Sequence, residues 1–110
     1  MRKLTENELP RLASLEEDVM TVLLNQELYG LQILQALNES SRLGRIGFGS
    51  LYPTLHRLDK KGYLSARWGE ELDGESGGAR RKYYRITGLG EQVLDATHLR
   101  RQQLKMWQPV

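Results

Sequence analysis

Apolar positions along this chain fall in two rhythms, one helical and one alternating. After the run SLEE at 14–17, Leu15, Val19 and Val22 recur on one side of a helix predicted to reach about Leu28. Ser14 followed three residues later by Glu17 matches a capping box, with Ser14 as the cap and Glu17 reaching back to it. Met20 and Leu24 fall nearly opposite, so this helix needs apolar cover on two sides. A second subunit is the economical source of that cover. Tyr29-Gly30 breaks the pattern, and LQILQALNES restores it with Ile33, Leu34 and Leu37. The turn-rich SSRLGRIGFG follows, in which Ile46 and Phe48 alternate like a short strand. The next helix is predicted to start near Ser50, with Leu51, Leu55 and Leu58 at i, i+4 and i+7 and Gly62 as its stop. With Ser50 as cap, Pro53 falls in the first turn, where its missing N–H has no helical partner to lose.

The rhythm then changes to a period of two. Leu64, Ala66 and Trp68 share one face of YLSARWGEEL; Tyr84 and Ile86 share one face of RRKYYRIT, with Arg81, Tyr83 and Arg85 on the other. The glycine-rich DGESGGA between them makes the pair a hairpin. Thr87 is placed to cap a last helix over 88–107. Its apolar seam runs through Leu89, Val93, Ala96 and Trp107, interrupted by Arg100 and Gln103. The predicted dimer interface joins Leu15, Val19, Met20 and Leu24 to Leu89, Val93, Ala96, Leu104 and Trp107.

Helix, helix, short strand, helix, hairpin, helix is the layout of a winged helix-turn-helix. The expected fold class is α+β, mostly helical, with a two-stranded β wing and a C-terminal dimerisation helix. Residues 1–110 are read as one domain, 12–87 forming the winged core and 88–108 the dimerisation helix. With Leu51, Leu55 and Leu58 turned inward, the third helix presents Pro53, His56, Arg57 and Lys60, flanked by Tyr52 and Lys61. That face is basic and able to hydrogen-bond base edges or phosphates. Arg80, Arg81 and Lys82 stand at the wing tip, within reach of phosphates or a narrow minor groove. A solvated hairpin carrying cations for solubility and edge protection is the competing reading of that tip.

Charge sharpens the picture. Residues 1–40 carry three Lys/Arg against seven Asp/Glu, and residues 41–110 carry thirteen against seven, so the net +2 divides into −4 and +6. A basic back half suits a polyanionic partner. No cysteine is present, which removes disulfides and thiol chemistry. His56 and His98 lack metal-ligand spacing, GESGG lacks the lysine of a phosphate loop, and no catalytic constellation stands out. No metal or cofactor is expected. The opening MRKLTENELP lacks the apolar stretch of a signal peptide, which points to a cytoplasmic, nucleoid-associated protein.

The runs YGLQILQAL, GSLYPTLHRLDKKGYL and RRKYYRITGLGEQVL resemble the PadR family of bacterial winged-helix transcriptional regulators, over roughly residues 12–95. The chain departs at Gly30-Leu31-Gln32-Ile33, where the family often has Gly-Tyr-Glu-Ile, and it resembles the short subgroup with one C-terminal helix. The resemblance implies a homodimer joined through the C-terminal and N-terminal helices, typically a repressor, with double-stranded DNA as partner. It also implies that Ser50, Tyr52 and Pro53 begin the recognition helix and that Arg80 to Lys82 form the wing. Some members sense hydrophobic or aromatic small molecules, for which Trp68 and Trp107 are candidate lining residues, though packing in the core or dimer is the commoner role. The expected DNA-binding set is therefore Ser50, Tyr52, Pro53, Thr54, His56, Arg57, Lys60, Lys61, Arg80, Arg81 and Lys82. A winged-helix module that binds an acidic protein, and an enzyme with a pocket at the dimer interface, are the alternatives.

Overall fold

The first helix, α1 (Ser14–Val22), is capped one residue earlier than the SLEE pattern predicts. Ala13 occupies the cap, and Glu16, not Glu17, reaches back to accept its N–H at 2.8 Å. That register turns Glu17 toward the end of the chain, where Arg101 and His98 meet it. The helix stops at Val22, well short of Leu28. Gln26 donates its side-chain amide to the Val22 carbonyl, and Asn25 takes a left-handed φ of 65° that asparagine tolerates. The computed structural model describes residues 10–40, 44–70 and 80–110; the predicted DGESGGA loop lies outside them.

Elements then follow as β1 (Leu28–Tyr29), α2 (Gly30–Ser40), α3 (Phe48–Lys60), β2 (Leu64–Trp68), β3 (Lys82–Ile86) and α4 (Gly88–Met106). The short strand therefore precedes the second helix, at Leu28–Tyr29, and is not the predicted Ile46–Phe48 stub. It pairs antiparallel with β3, placing Leu28 opposite Tyr84, and the sheet order is β1-β3-β2. Ile46 instead belongs to a loop pinned to α2. Its N–H donates to Asn38 Oδ1 at 2.7 Å, and Asn38 Nδ2 donates to its carbonyl at 3.0 Å. This double clamp fixes the chain just before Gly47, the residue that caps α3.

Because α3 starts at Phe48 and not near Ser50, Pro53 lies in its second turn. The ring removes the N–H that would bond the Gly49 carbonyl, and both residues are exposed, so water can satisfy that oxygen. The inward face is the one predicted. Leu51, Leu55 and Leu58 are fully buried, each contributing about 2 kcal/mol of burial free energy. The exit is a Schellman motif: Gly62, at φ 81°, donates to Asp59 and Tyr63 donates to Leu58 at 2.9 Å.

In the hairpin, Leu64 opposes Ile86 and Trp68 opposes Lys82, so Leu64 and Tyr84 face the core as the alternation required. Thr87 caps α4 by accepting from Gly90 N–H at 3.0 Å, and its hydroxyl donates to the Gly62 carbonyl at 2.6 Å. Gly90 passes so close to the Tyr63 carbonyl that a β-carbon there would collide with backbone. Val93 and Leu94 complete the core.

Val19, Met20 and Val93 have no exposed surface within the single chain. Helix α1 is covered by α2, α3 and α4 of its own subunit, so its two apolar sides do not call for a partner. These three residues leave the predicted dimer interface and join the core. Leu15, Leu24 and Leu89 pack half-buried at its margin, and Ala96 is half-buried on α4.

Candidate nucleic-acid interface

On the outer face of α3, Ser50, Tyr52, Pro53, His56, Arg57, Lys60 and Lys61 are exposed. Thr54 is not; at 1% exposure it cannot meet a base or phosphate. Its hydroxyl donates to the Ser50 carbonyl at 2.9 Å and accepts from Arg57 Nη2 at 3.1 Å, so it steadies Arg57 from beneath. A small polar residue on the inward side was mistaken for part of the reading face.

The cations of α3 fall into two groups. Lys60 stands on the open part of the face, beside Tyr52 and His56. Arg57 and Lys61 occupy one edge, where Glu16 of α1 lies 3.9 Å from Arg57 Nε and 3.3 Å from Lys61 Nζ. These pairs join residues far apart in the chain, so local spacing gave no sign of them.

At the other edge of α3 stands the wing. Arg80 Nε donates to the Gly69 carbonyl at 2.9 Å, Arg81 lies 4.5 Å over the Tyr29 ring, and Lys82 Nζ lies 5.6 Å from the Trp68 ring and 5.8 Å from that of Tyr84. Each wing cation is thus steadied without being neutralised by a carboxylate among these contacts. Arg67, one strand away, differs: both Glu27 carboxylate oxygens accept from its Nε at 3.0 Å. That hydrogen bond, foremost, raises the guanidinium's pKa above its ordinary value, and the carboxylate partly offsets the charge of Arg67.

Between α3 and the wing lies an open groove of about 450 Å3. Phe48, Tyr52 and Trp68 give it aromatic walls, and Arg80, Arg81 and Lys82 give it positive charge. Phe48 and Tyr52 are stacked with ring centroids 5.3 Å apart. A β-carbon on Gly30 would sit 2.6 Å from the Tyr52 hydroxyl, so glycine at the start of α2 is what lets Tyr52 lie there. Phe48, expected in a strand, lines the groove from α3, and Trp68, a candidate lining residue for a small molecule, stands on its wall. Trp68 is 56% exposed on the groove wall and so is not a core residue. The i, i+4 spacing of Phe48 and Tyr52 was the available signal for the stacked pair.

Away from this face, the second half of α4 carries its own exposed apolar set. Leu104 and Trp107 of the predicted interface are open, Trp107 at 70%, together with Leu99 and Met106, which the seam did not include. His98 Nε2 lies 3.3 Å from the Glu17 carboxylate. Among the described residues, no group of three His, Cys, Asp or Glu side chains is arranged to hold a metal ion. No described helix is long and apolar enough to cross a membrane.

Residues 19–96 match the model of the family described as the transcriptional regulator PadR-like family. The fold is similar to that of a PadR-like transcription factor from Bacteroides fragilis, at 36% identity and a TM-score of 0.72, covering 83% of this chain and 82% of that one. It is also similar to Bacillus subtilis PadR in complex with operator DNA, at 23% identity and a TM-score of 0.66, covering 88% of this chain and 50% of that one. A protein of Lysinibacillus sphaericus with no assigned role is 35% identical over 81 residues, 73% of this chain and 71% of the relative. The chain belongs to the transcriptional regulator PadR-like family, and it is a DNA-binding regulator of transcription, not an enzyme.

Proposed function

We propose that this chain is a cytoplasmic repressor that binds an inverted-repeat operator as a homodimer. Ser50, Tyr52, Pro53, His56 and Lys60 face the major groove, and Arg80, Arg81 and Lys82 grip the backbone beside it. The observation that carries this reading is the shared groove, which sets Phe48 and Tyr52 at the start of α3 and three cations of the wing around one concavity. A helix that reads base edges and a wing that holds phosphates must act on adjacent parts of one duplex, and this juxtaposition provides that. The likeness to Bacillus subtilis PadR, whose structure contains operator DNA, supports the same placement at the level of the fold.

The dimer reading rests on α4. Leu99, Leu104, Met106 and Trp107 are more than half exposed in the single chain. A two-fold pairing of such helices would present two copies of α3, and an operator with matching two-fold symmetry follows. Selection of binding sites from random duplex DNA tests the reading. The enriched sequences should contain two inverted half-sites with centres about 34 Å apart, or a multiple of that. Enrichment of no motif, or of a single unrepeated one, would contradict it.

A further inference from the structure

Glu16 is an unusual partner for a DNA-reading helix. Its side chain is only 6% exposed, its Oε1 accepts from Ala13 N–H at 2.8 Å, and its Oε2 faces Lys61 Nζ at 3.3 Å and Arg57 Nε at 3.9 Å. The neighbouring Glu17 is occupied elsewhere, by Arg101 and His98 of α4, and so does not share these two cations. Arg57 is held a second time, by Thr54 Oγ1. Were Lys61 to leave for a phosphate, a buried carboxylate would lose its nearest counter-charge, which is unfavourable.

We propose that Glu16 is an intramolecular counter-anion for α3: by holding Lys61 and Arg57 it keeps them from acting as free phosphate ligands and so restrains sequence-independent DNA binding. This rests on the reading that α3 meets duplex DNA. Two cations with one anion carry a net charge of +1, so the three groups present one positive charge to the phosphates where the cations alone would present two. The sequence-independent part of DNA affinity comes from phosphate neutralisation, each phosphate adding about 0.9 to the slope of log affinity against log salt. Glu16 thereby acts on discrimination without touching DNA.

The test is the salt dependence of binding to a random-sequence duplex, measured by fluorescence anisotropy for the full chain and for Glu16→Gln. The amide can still accept from Ala13 N–H, so the cap is kept while the charge is removed. Binding should tighten at low salt and the slope should steepen by up to ~0.9. A Glu16→Gln protein that folds and binds with unchanged slope overturns the inference and leaves Glu16 a structural residue. Should that variant fail to fold by circular dichroism, Arg57→Met with Lys61→Met decides: the inference requires the slope to fall by about one phosphate, ~0.9, and a fall of about twice that overturns it. A parent chain that binds no duplex DNA would overturn the functional reading and this inference with it.

Discussion

Tyr52 stands where the start of α3 meets the wall of the groove. It is 48% exposed, stacks on Phe48, and lies against Gly30 at the start of α2. Half-exposure means that its loss costs the fold little, about 1 kcal/mol or less. Its position on the groove wall means that its loss should be felt in binding. Tyr52→Ala should weaken operator binding by ~1–3 kcal/mol and random-duplex binding by less, if the ring meets a base edge or thymine methyl. Paired titrations of operator and random duplex measure both numbers, and equal losses on the two would place Tyr52 on the backbone. Tyr84 behaves differently because it is buried. Burial foremost, then the charges of Tyr52 and Asp59, raise its phenol above the ordinary value of 10.0. The folded state therefore favours the neutral phenol. Its contribution is intact below the unfolded value and is lost as pH rises past about 10 toward the folded value. Tyr84→Phe should lower the dependence of the thermal midpoint on pH between about 9 and 11, whatever it does to the midpoint at pH 7.

At the scale of elements, α3 was the most legible part of the chain and its partners the least. Leu51, Leu55, Leu58 and Gly62 announce the helix and its end because helical periodicity and left-handed glycine are local properties. Strand β1 is two residues long and pairs with β3 far along the chain, so no local pattern reveals it. The start of α3 depends on the clamp between Asn38 and Ile46, again an interaction between elements. Thr54 was misread for the same reason: an inward polar side chain that satisfies itself on Ser50 looks like a surface residue in sequence. The basic face and the wing cations were visible as composition, but Glu16 and Glu27, which take Arg57, Lys61 and Arg67 into ion pairs, were not. The wing cations retain only aromatic and carbonyl partners among their described contacts. Replacing Arg80, Arg81 and Lys82 together with Ala should weaken operator and random DNA about equally. It should also lower the salt slope by ~0.9 for each phosphate that the wing no longer neutralises. A slope that does not move would place these side chains in solvent.

Over the whole molecule, exposed apolar side chains gather in two places, the groove and the end of α4. The chain extends 66 Å along its longest axis, and the exposed apolar end of α4 lies apart from the groove that carries the cations. Such a patch on an otherwise solvated helix marks an interaction surface. Sedimentation at micromolar concentration should give twice the chain mass, and Leu104→Glu with Trp107→Ala should shift it toward the monomer. Trp68→Ala should leave it unchanged, since Trp68 belongs to the groove. The Val19 and Met20 pair, whose spacing suggests a dimer, contributes only to the core. The case for pairing rests entirely on the last helix.

The central claim is that α3 and the wing of two subunits read one face of a duplex together. Hydroxyl-radical footprinting of the selected operator tests it most directly. The claim predicts two protected patches on the same face of the duplex, centred about 34 Å or a multiple of that apart and related by the two-fold axis of the inverted repeat. Uniform cleavage along the site, or a single patch without its symmetric mate, would contradict it.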